Sequence, residues 1–128
     1  MTPRSAKTKG YYVKKLDVVF SQWLRKSYAD DFGMVACFTC DKVAHYKEMQ
    51  NGHYVSRSHM AGRWEPQNCR VQCPRCNVFM HGNYTEYSAR LVKELGPDEL
   101  GRLNKLKQTI ARFSIQDLKD KTAFYKNS

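Results

Sequence analysis

Three observations predict an α+β fold for this chain, with a small core stapled by a metal and flanked by N- and C-terminal helices. Two Cys-x-x-Cys pairs, Cys37/Cys40 and Cys73/Cys76, bracket its middle. Apolar residues recur at helical spacing before the first pair, at Leu16, Val19, Phe20, Trp23, Leu24 and Tyr28, and again from Tyr84 onward. Between the pairs run only short β-like stretches broken by glycine and proline.

In order along the chain, residues 1–10 show no periodicity and read as a flexible basic arm ending at Gly10. The stripe from Leu16 to Tyr28 predicts a helix that Asp30, Asp31 and Gly33 terminate. Met34 to Phe38 reads as a strand entering the first cysteine turn. Glu48 to Ser56, interrupted by Asn51-Gly52, predicts a hairpin or strand with a sharp turn at Gly52, so that His53 follows the turn. A second short strand is expected over Gly62 to Glu65, stopped by Pro66, with a loop through Asn68 leading to the second cysteine turn.

Tyr84, Tyr87, Ala89, Leu91, Val92 and Leu95 predict a helix ending at Gly96-Pro97. Leu100, Leu103, Leu106, Ile110 and Phe113 mark another, and Ser114 is placed to cap a last one with Ile115 and Leu118. The seam from Leu103 to Phe113 is expected to pack on its own domain ahead of a second copy. The boundaries that follow are an arm over 1–10, a metal-binding domain over 11–96 and a helical extension over 97–128.

At 128 residues the chain is short enough that a modest apolar core benefits from a metal staple. No apolar run is long enough to span a bilayer, and the polar start at Met1 to Lys9 lacks the apolar stretch of a secretion signal. A cytoplasmic setting is therefore expected, where paired thiols hold metal rather than form disulfides. The 22 Lys and Arg against 12 Asp and Glu give a formal charge of +10, which points to nucleic acid as partner. Seven of those cations, Lys14 and Lys15 among them, lie in the first thirty residues against two aspartates. A merely basic solvated surface is the plainer alternative.

Cys37, Cys40, Cys73 and Cys76 suit zinc, because each tight turn presents two thiolates and two turns complete a tetrahedron. The 32 residues between Cys40 and Cys73 leave room for a two-strand insertion that contains His53. Cys69 lies four residues before Cys73 and could replace it in another register, although a buried bystander is the expected role. If Asn77 opens a helix, His81 falls on the same face, and both could hold a second cation while His53 accepts a proton. Against this, Asn77 could be a plain helix cap, and Gly82 weakens the helix just past His81.

The order Cys-x-x-Cys, Gly-His, Asn, Cys-x-x-Cys-Asn resembles the HNH, or ββα-metal, nucleases of the endonuclease VII type. More closely, Leu16-Asp17 through Phe20-Ser21-Gln22, Cys37-Phe38-Thr39-Cys40, Gly52-His53-Tyr54 with Ser56-Arg57, Asn68, Gln72-Cys73, Cys76-Asn77 and Gly82-Asn83 with Tyr87 resemble the NinG/Rap recombination proteins of lambdoid phages. That resemblance runs from about Leu16 to Gly96.

It implies a treble-clef-like HNH core and a metal-dependent DNA endonuclease acting on branched recombination intermediates such as Holliday junctions, flaps and D-loops. It makes His53 the general base, Asn77 a ligand of a catalytic Mg2+ or Mn2+, Asn68 the brace of the histidine loop and His81 a second ligand. One departure stands out: Gly52 occupies the place where many of these enzymes carry an aspartate. Glu65 and Glu48 are the nearest replacements in sequence, and purely neutral donors would favour manganese, nickel or zinc over magnesium. Arg57 and Arg75 lie beside the motif residues and could hold flanking phosphates or be plain exposed cations, with Lys14 and Lys15 expected on the DNA side. Cutting both strands of a junction would suit a homodimer. The rival readings are a non-catalytic zinc-knuckle module that binds nucleic acid and a protein-interaction adaptor built on the Leu103 to Phe113 seam.

Overall fold

The computed structural model describes residues 7–128, so most of the expected basic arm lies outside the described residues. Helix α1, Lys9–Tyr28, starts seven residues before the apolar stripe that begins at Leu16, because the Thr8 hydroxyl accepts from the Tyr11 N–H and caps it. Leu16, Phe20 and Leu24 form its buried stripe. Strands β1, Met34–Ala36, and β2, Val43–His45, pair antiparallel and carry Cys37 and Cys40 in the loop between them. Strand β2 left no mark in the sequence because its three residues are too few to show alternation.

The region between the cysteine turns departs from expectation. Gln50–His53 is an unbroken strand, β3, with Gly52 in mid-strand opposite Arg70 rather than in a turn. Its partner is β4, Cys69–Gln72, with His53 opposite Cys69. The expected strand over 62–65 is instead a one-turn helix, α2, Met60–Arg63, followed by a 3-10 turn at Pro66–Asn68. Gly52 is selected by space: a Cβ there would come within 2.0 Å of the Gln72 Oε1 atom.

After Cys73 the chain makes a single π turn, Arg75–Phe79. It then runs through three consecutive left-handed residues, His81 (φ 50°), Gly82 (φ 94°) and Asn83 (φ 49°). The helix expected from Asn77 through His81 therefore does not form, and α3 begins only at Tyr84 and ends at Leu95. Gly96 in the left-handed region and Pro97 then open α4, Pro97–Lys105. Helix α5, Ile115–Lys126, is fixed by the Ser114/Asp117 capping box.

The C-terminal helices are not a separate appendage. Leu118 of α5 shares one apolar cluster with Leu16, Phe20, Leu24, Trp64 and Cys69, and Leu103 of α4 buries against Tyr87 and Leu91 of α3. A third cluster, of Val35, Met49 and Val71, surrounds the cysteines. The Leu103 to Phe113 seam is split: Leu103 is buried, Phe113 packs edge-on against Trp64, and Ile110 is 84% exposed. The chain leaves the helix after Gln108, so these residues share no face. No helix is long and apolar enough to cross a membrane.

Candidate metal centre and adjoining cleft

The β1–β2 loop and the turn after β4 bring Cys37, Cys40, Cys73 and Cys76 together, with their four sulfurs within 4.8 Å of one another. A tetrahedral zinc with bonds of about 2.3 Å would set its sulfurs roughly 3.7 Å apart. The Cys40 and Cys73 sulfurs already lie 3.6 Å apart. The donor set and spacing thus fit a structural metal such as zinc. Burial pushes the Cys40 thiol up to about 12. At Cys37 burial acts in the same direction but is outweighed by hydrogen bonds from Thr39 and from the Cys73 and Thr39 backbone, which bring it to about 6. Four such thiols cannot all ionise side by side without a cation between them. Cys69 stands apart, fully buried in the apolar cluster, and desolvation drives its thiol far upward, which suits a bystander.

Beside this centre lies a cleft of about 510 Å³ whose walls come from α1, β3, the loop after it, the π turn and the head of α3. Of the residues named from the sequence, His53, Arg57 and Asn77 line it. The His53 Nε2 atom is 2.8 Å from the Arg63 carbonyl oxygen. A carbonyl only accepts, so Nε2 carries the proton and Nδ1 keeps the lone pair. Burial is the main cause that holds His53 below the usual histidine range, and the nearby Arg57 and Arg63 charges add to it. The Arg63 carbonyl and the Asp17 carboxylate pull the other way. His53 therefore stays neutral at physiological pH, the state a base requires.

Asn68, expected as the brace of the histidine loop, lies beneath that loop. Fully buried, it accepts from the Val55 N–H at 2.8 Å and donates to the Val55 and Gly62 carbonyls at 2.9 and 3.0 Å, tying the strand end that carries His53 to α2. Asn77 donates through Nδ2 to Gln50 Oε1 at 2.7 Å, which leaves its amide oxygen without a partner among the described residues.

Other expected residues lie elsewhere. His81 is exposed in the left-handed run and does not line the cleft, because the helix that would have aligned it with Asn77 is replaced by the π turn. Arg75 is exposed on that turn and also stays outside. Lys14 lies on the same helical stripe as Asp17, Ser21 and Arg25, whereas Lys15 is rotated about 100° away from it. Neither Glu48 nor Glu65 lines the cleft; the one carboxylate there is Asp17.

Asp17, Ser21 and Arg25 received no site role in the sequence reading, although Asp17 and Ser21 belong to the stretch that carries the family resemblance. Their i, i+4, i+8 spacing is a polar stripe beside the apolar one, and that pattern alone looks like any solvated helix face. Asp17 is fully engaged: Oδ1 accepts from Arg63 Nε and Trp64 Nε1 at 3.0 Å each, and Oδ2 from Arg63 Nη2 at 2.6 Å. Arg25 donates to the Tyr46 carbonyl at 2.8 Å and so pins the segment leading into β3. Among the described residues, the four cysteines form the one group of three or more His, Cys, Asp or Glu side chains close enough to hold an ion. Among the described residues, the cleft therefore brings together no three such side chains around a second cation.

A family model described as bacteriophage lambda NinG protein matches residues 2–128, and so takes in the C-terminal helices as well as the cysteine turns. No curated protein and no solved structure matches the chain.

Proposed function

We propose, since this chain belongs to the bacteriophage lambda NinG protein family, that it is a zinc-stapled DNA endonuclease of the HNH type, cutting branched recombination intermediates. One observation carries the reading: a neutral histidine, its Nε2 proton fixed on the Arg63 carbonyl, sits in a cleft with Arg57 on its rim and next to the cysteine cluster. The formal charge of +10 supplies the attraction for a phosphate backbone.

His53 Nδ1 takes a proton from water, and the water oxygen forms a bond to phosphorus as the bond to the 3′ oxygen breaks. The products carry a 5′ phosphate and a 3′ hydroxyl, the latter protonated from solvent. Asn68 keeps the imidazole in place through the loop it ties down. Arg57, exposed on the rim, pairs with a flanking phosphate. Mg2+ or Mn2+ would neutralise charge at the scissile phosphate; the Asn77 amide oxygen could hold such a cation together with the DNA phosphate, since the Asp17 carboxylate is engaged by Arg63 and Trp64.

A second reading, a non-catalytic zinc-knuckle module that binds nucleic acid, draws on that same engagement of Asp17 by Arg63 and Trp64. The two separate in one assay: labelled four-way junction, flap and linear duplex, incubated with and without manganese or magnesium, with His53→Ala alongside. The endonuclease nicks branched DNA only with metal, and His53→Ala lowers the rate by about 10²- to 10⁴-fold while DNA affinity stays within about twofold. Binding without metal-dependent nicking in the unaltered chain would leave the binding module standing.

A further inference from the structure

Next to the His53 cleft lies a second cavity of about 410 Å³, lined by Tyr54, Ser56, His59, Tyr84, Ser88 and Lys107. Ser56 and Tyr84 line both cavities and form the ridge between them. We infer that this second cavity receives an unpaired nucleotide of the DNA, stacked on Tyr84, with its phosphate against Lys107. The inference rests on the reading of the His53 cleft as the seat of a DNA backbone, and it identifies the feature of branched DNA that the protein selects.

Four observations carry it. Tyr84 is 45% exposed, although it opens a helix whose next aromatic, Tyr87, is fully buried. Its phenol end rests on Gly82, where a Cβ would lie 3.1 Å from the Tyr84 Cζ atom, so the left-handed run before α3 supports the ring from below. Tyr54 stands edge-on to it, with centroids 6.4 Å apart. The Tyr54 hydroxyl is held in place by Ser88 and Asn104, at 3.3 and 3.2 Å. The walls are thus a rigid aromatic corner, not a loose surface.

The chemistry of the lining favours a nucleotide. Every base offers a π-face to an aromatic platform, and hydroxyls and an imidazole on the walls can pair with base edges. Among the described residues, Lys107, exposed on the 3-10 turn after α4, supplies the one Lys or Arg of the lining. A base held in a duplex cannot enter, because it is already stacked and paired. A flap, a junction arm or a frayed end presents one free. Lys107 and Asn104 lie on the C-terminal side of Gly96, so the helices after α3 would supply substrate choice as well as packing.

The test uses full-length protein carrying His53→Ala, so that binding is read without cutting. A 2-aminopurine base is placed at the first unpaired position of a flap, or at the same position in linear duplex. Fluorescence quenching on binding is expected with the flap alone. Tyr84→Ala should remove the quenching and weaken flap binding about tenfold, and duplex binding by clearly less, since Tyr84 also borders the His53 cleft that meets both substrates. Tyr84→Phe should retain both, and Lys107→Ala should weaken flap binding and lower its salt dependence by about one phosphate contact. Equal loss for flap and duplex with Tyr84→Ala, or unaltered quenching in that variant, would overturn the nucleotide site. A failure of the nuclease reading shows instead as absent cutting by the unaltered chain, with these binding results intact.

Discussion

The cysteine cluster and the His53 cleft are neighbours built on opposite principles. The cluster takes four ligands of one chemical kind from two tight turns, and Val35, Met49 and Val71 enclose it. The cleft takes unlike residues from five places in the chain, and four of them are held by bonds to something else: Arg25 to the Tyr46 carbonyl, Asp17 to Arg63 and Trp64, Asn77 to Gln50, His53 to the Arg63 carbonyl. One region can bind its ion with no further help. The other is a set of positioned groups that waits for a substrate to complete it. They are coupled through β4 and the π turn, which run straight out of the cluster and place Asn77 in the cleft.

The sharpest way to break that contrast is at the cluster. Cys73→Ser removes one thiolate from the group of four, and structural zinc of this type contributes on the order of 10 kcal/mol, comparable to the whole stability of a small domain. The variant should lose its metal, one ion per chain by elemental analysis, and its cooperative unfolding transition by circular dichroism. A variant that stays folded and metal-free would show that the apolar clusters hold the chain without the staple.

The missing aspartate offers the next test. Gly52→Asp introduces the acidic residue that the HNH resemblance leads one to expect, yet its side chain would collide with Gln72 Oε1, which already lacks a hydrogen-bond partner among the described residues. Overlap plus a buried, unpaired charge should cost about 3–5 kcal/mol, read as a lower urea midpoint. Combining it with Gln72→Ala should recover part of that loss. Normal stability in the single variant would show that the strand has room for a carboxylate and that the glycine reflects chemistry instead of packing.

Asn68→Ala comes third. It deletes three buried hydrogen bonds that tie Val55 and Gly62, for about 2–4 kcal/mol of stability. Cutting should fall further than a stability loss explains, because the loop carrying His53 is released. The comparison between regions predicts the metal content to be unchanged, which elemental analysis checks.

How much of each region was legible follows from the same contrast. The cysteine cluster could be read directly, since Cys37-x-x-Cys40 and Cys73-x-x-Cys76 carry ligand type and local turn together. Helix α1 and the Ser114 cap were legible because periodicity and capping are local signals. Gly52 misled because a glycine after asparagine reads as a turn, whereas its reason is a long-range one, the Gln72 side chain across the sheet. His81 misled because helical spacing was assumed across a stretch that three left-handed residues interrupt. Asp17 was invisible as a cleft residue, since only the fold brings α1 against β3.

The smallest effect tests whether Asp17 belongs to the cleft electrically as well as in space. Asp17→Asn keeps an oxygen to accept from Trp64 Nε1 but removes the negative partner of Arg63, whose pair with Asp17 is only 17% and 23% exposed at the two side chains. The cost should be about 1–2 kcal/mol. Asp17 is one of the two influences that raise the His53 pKa against burial, so its removal lowers that pKa further. His53 already sits below its ordinary 6.5, so its contribution to stability is fully present above pH 6.5 and fades as pH falls through the folded value. In Asp17→Asn that fade should run to lower pH and grow in total size. A proton NMR titration of His53 follows the first, and urea unfolding at pH 8 and pH 5 the second. The acid limb of cutting should move down in pH with it, if His53 is the base. A His53 titration unmoved by Asp17→Asn would mean the carboxylate serves Arg63 and Trp64 alone, and the cleft would then be a frame around one histidine with no acidic partner of its own.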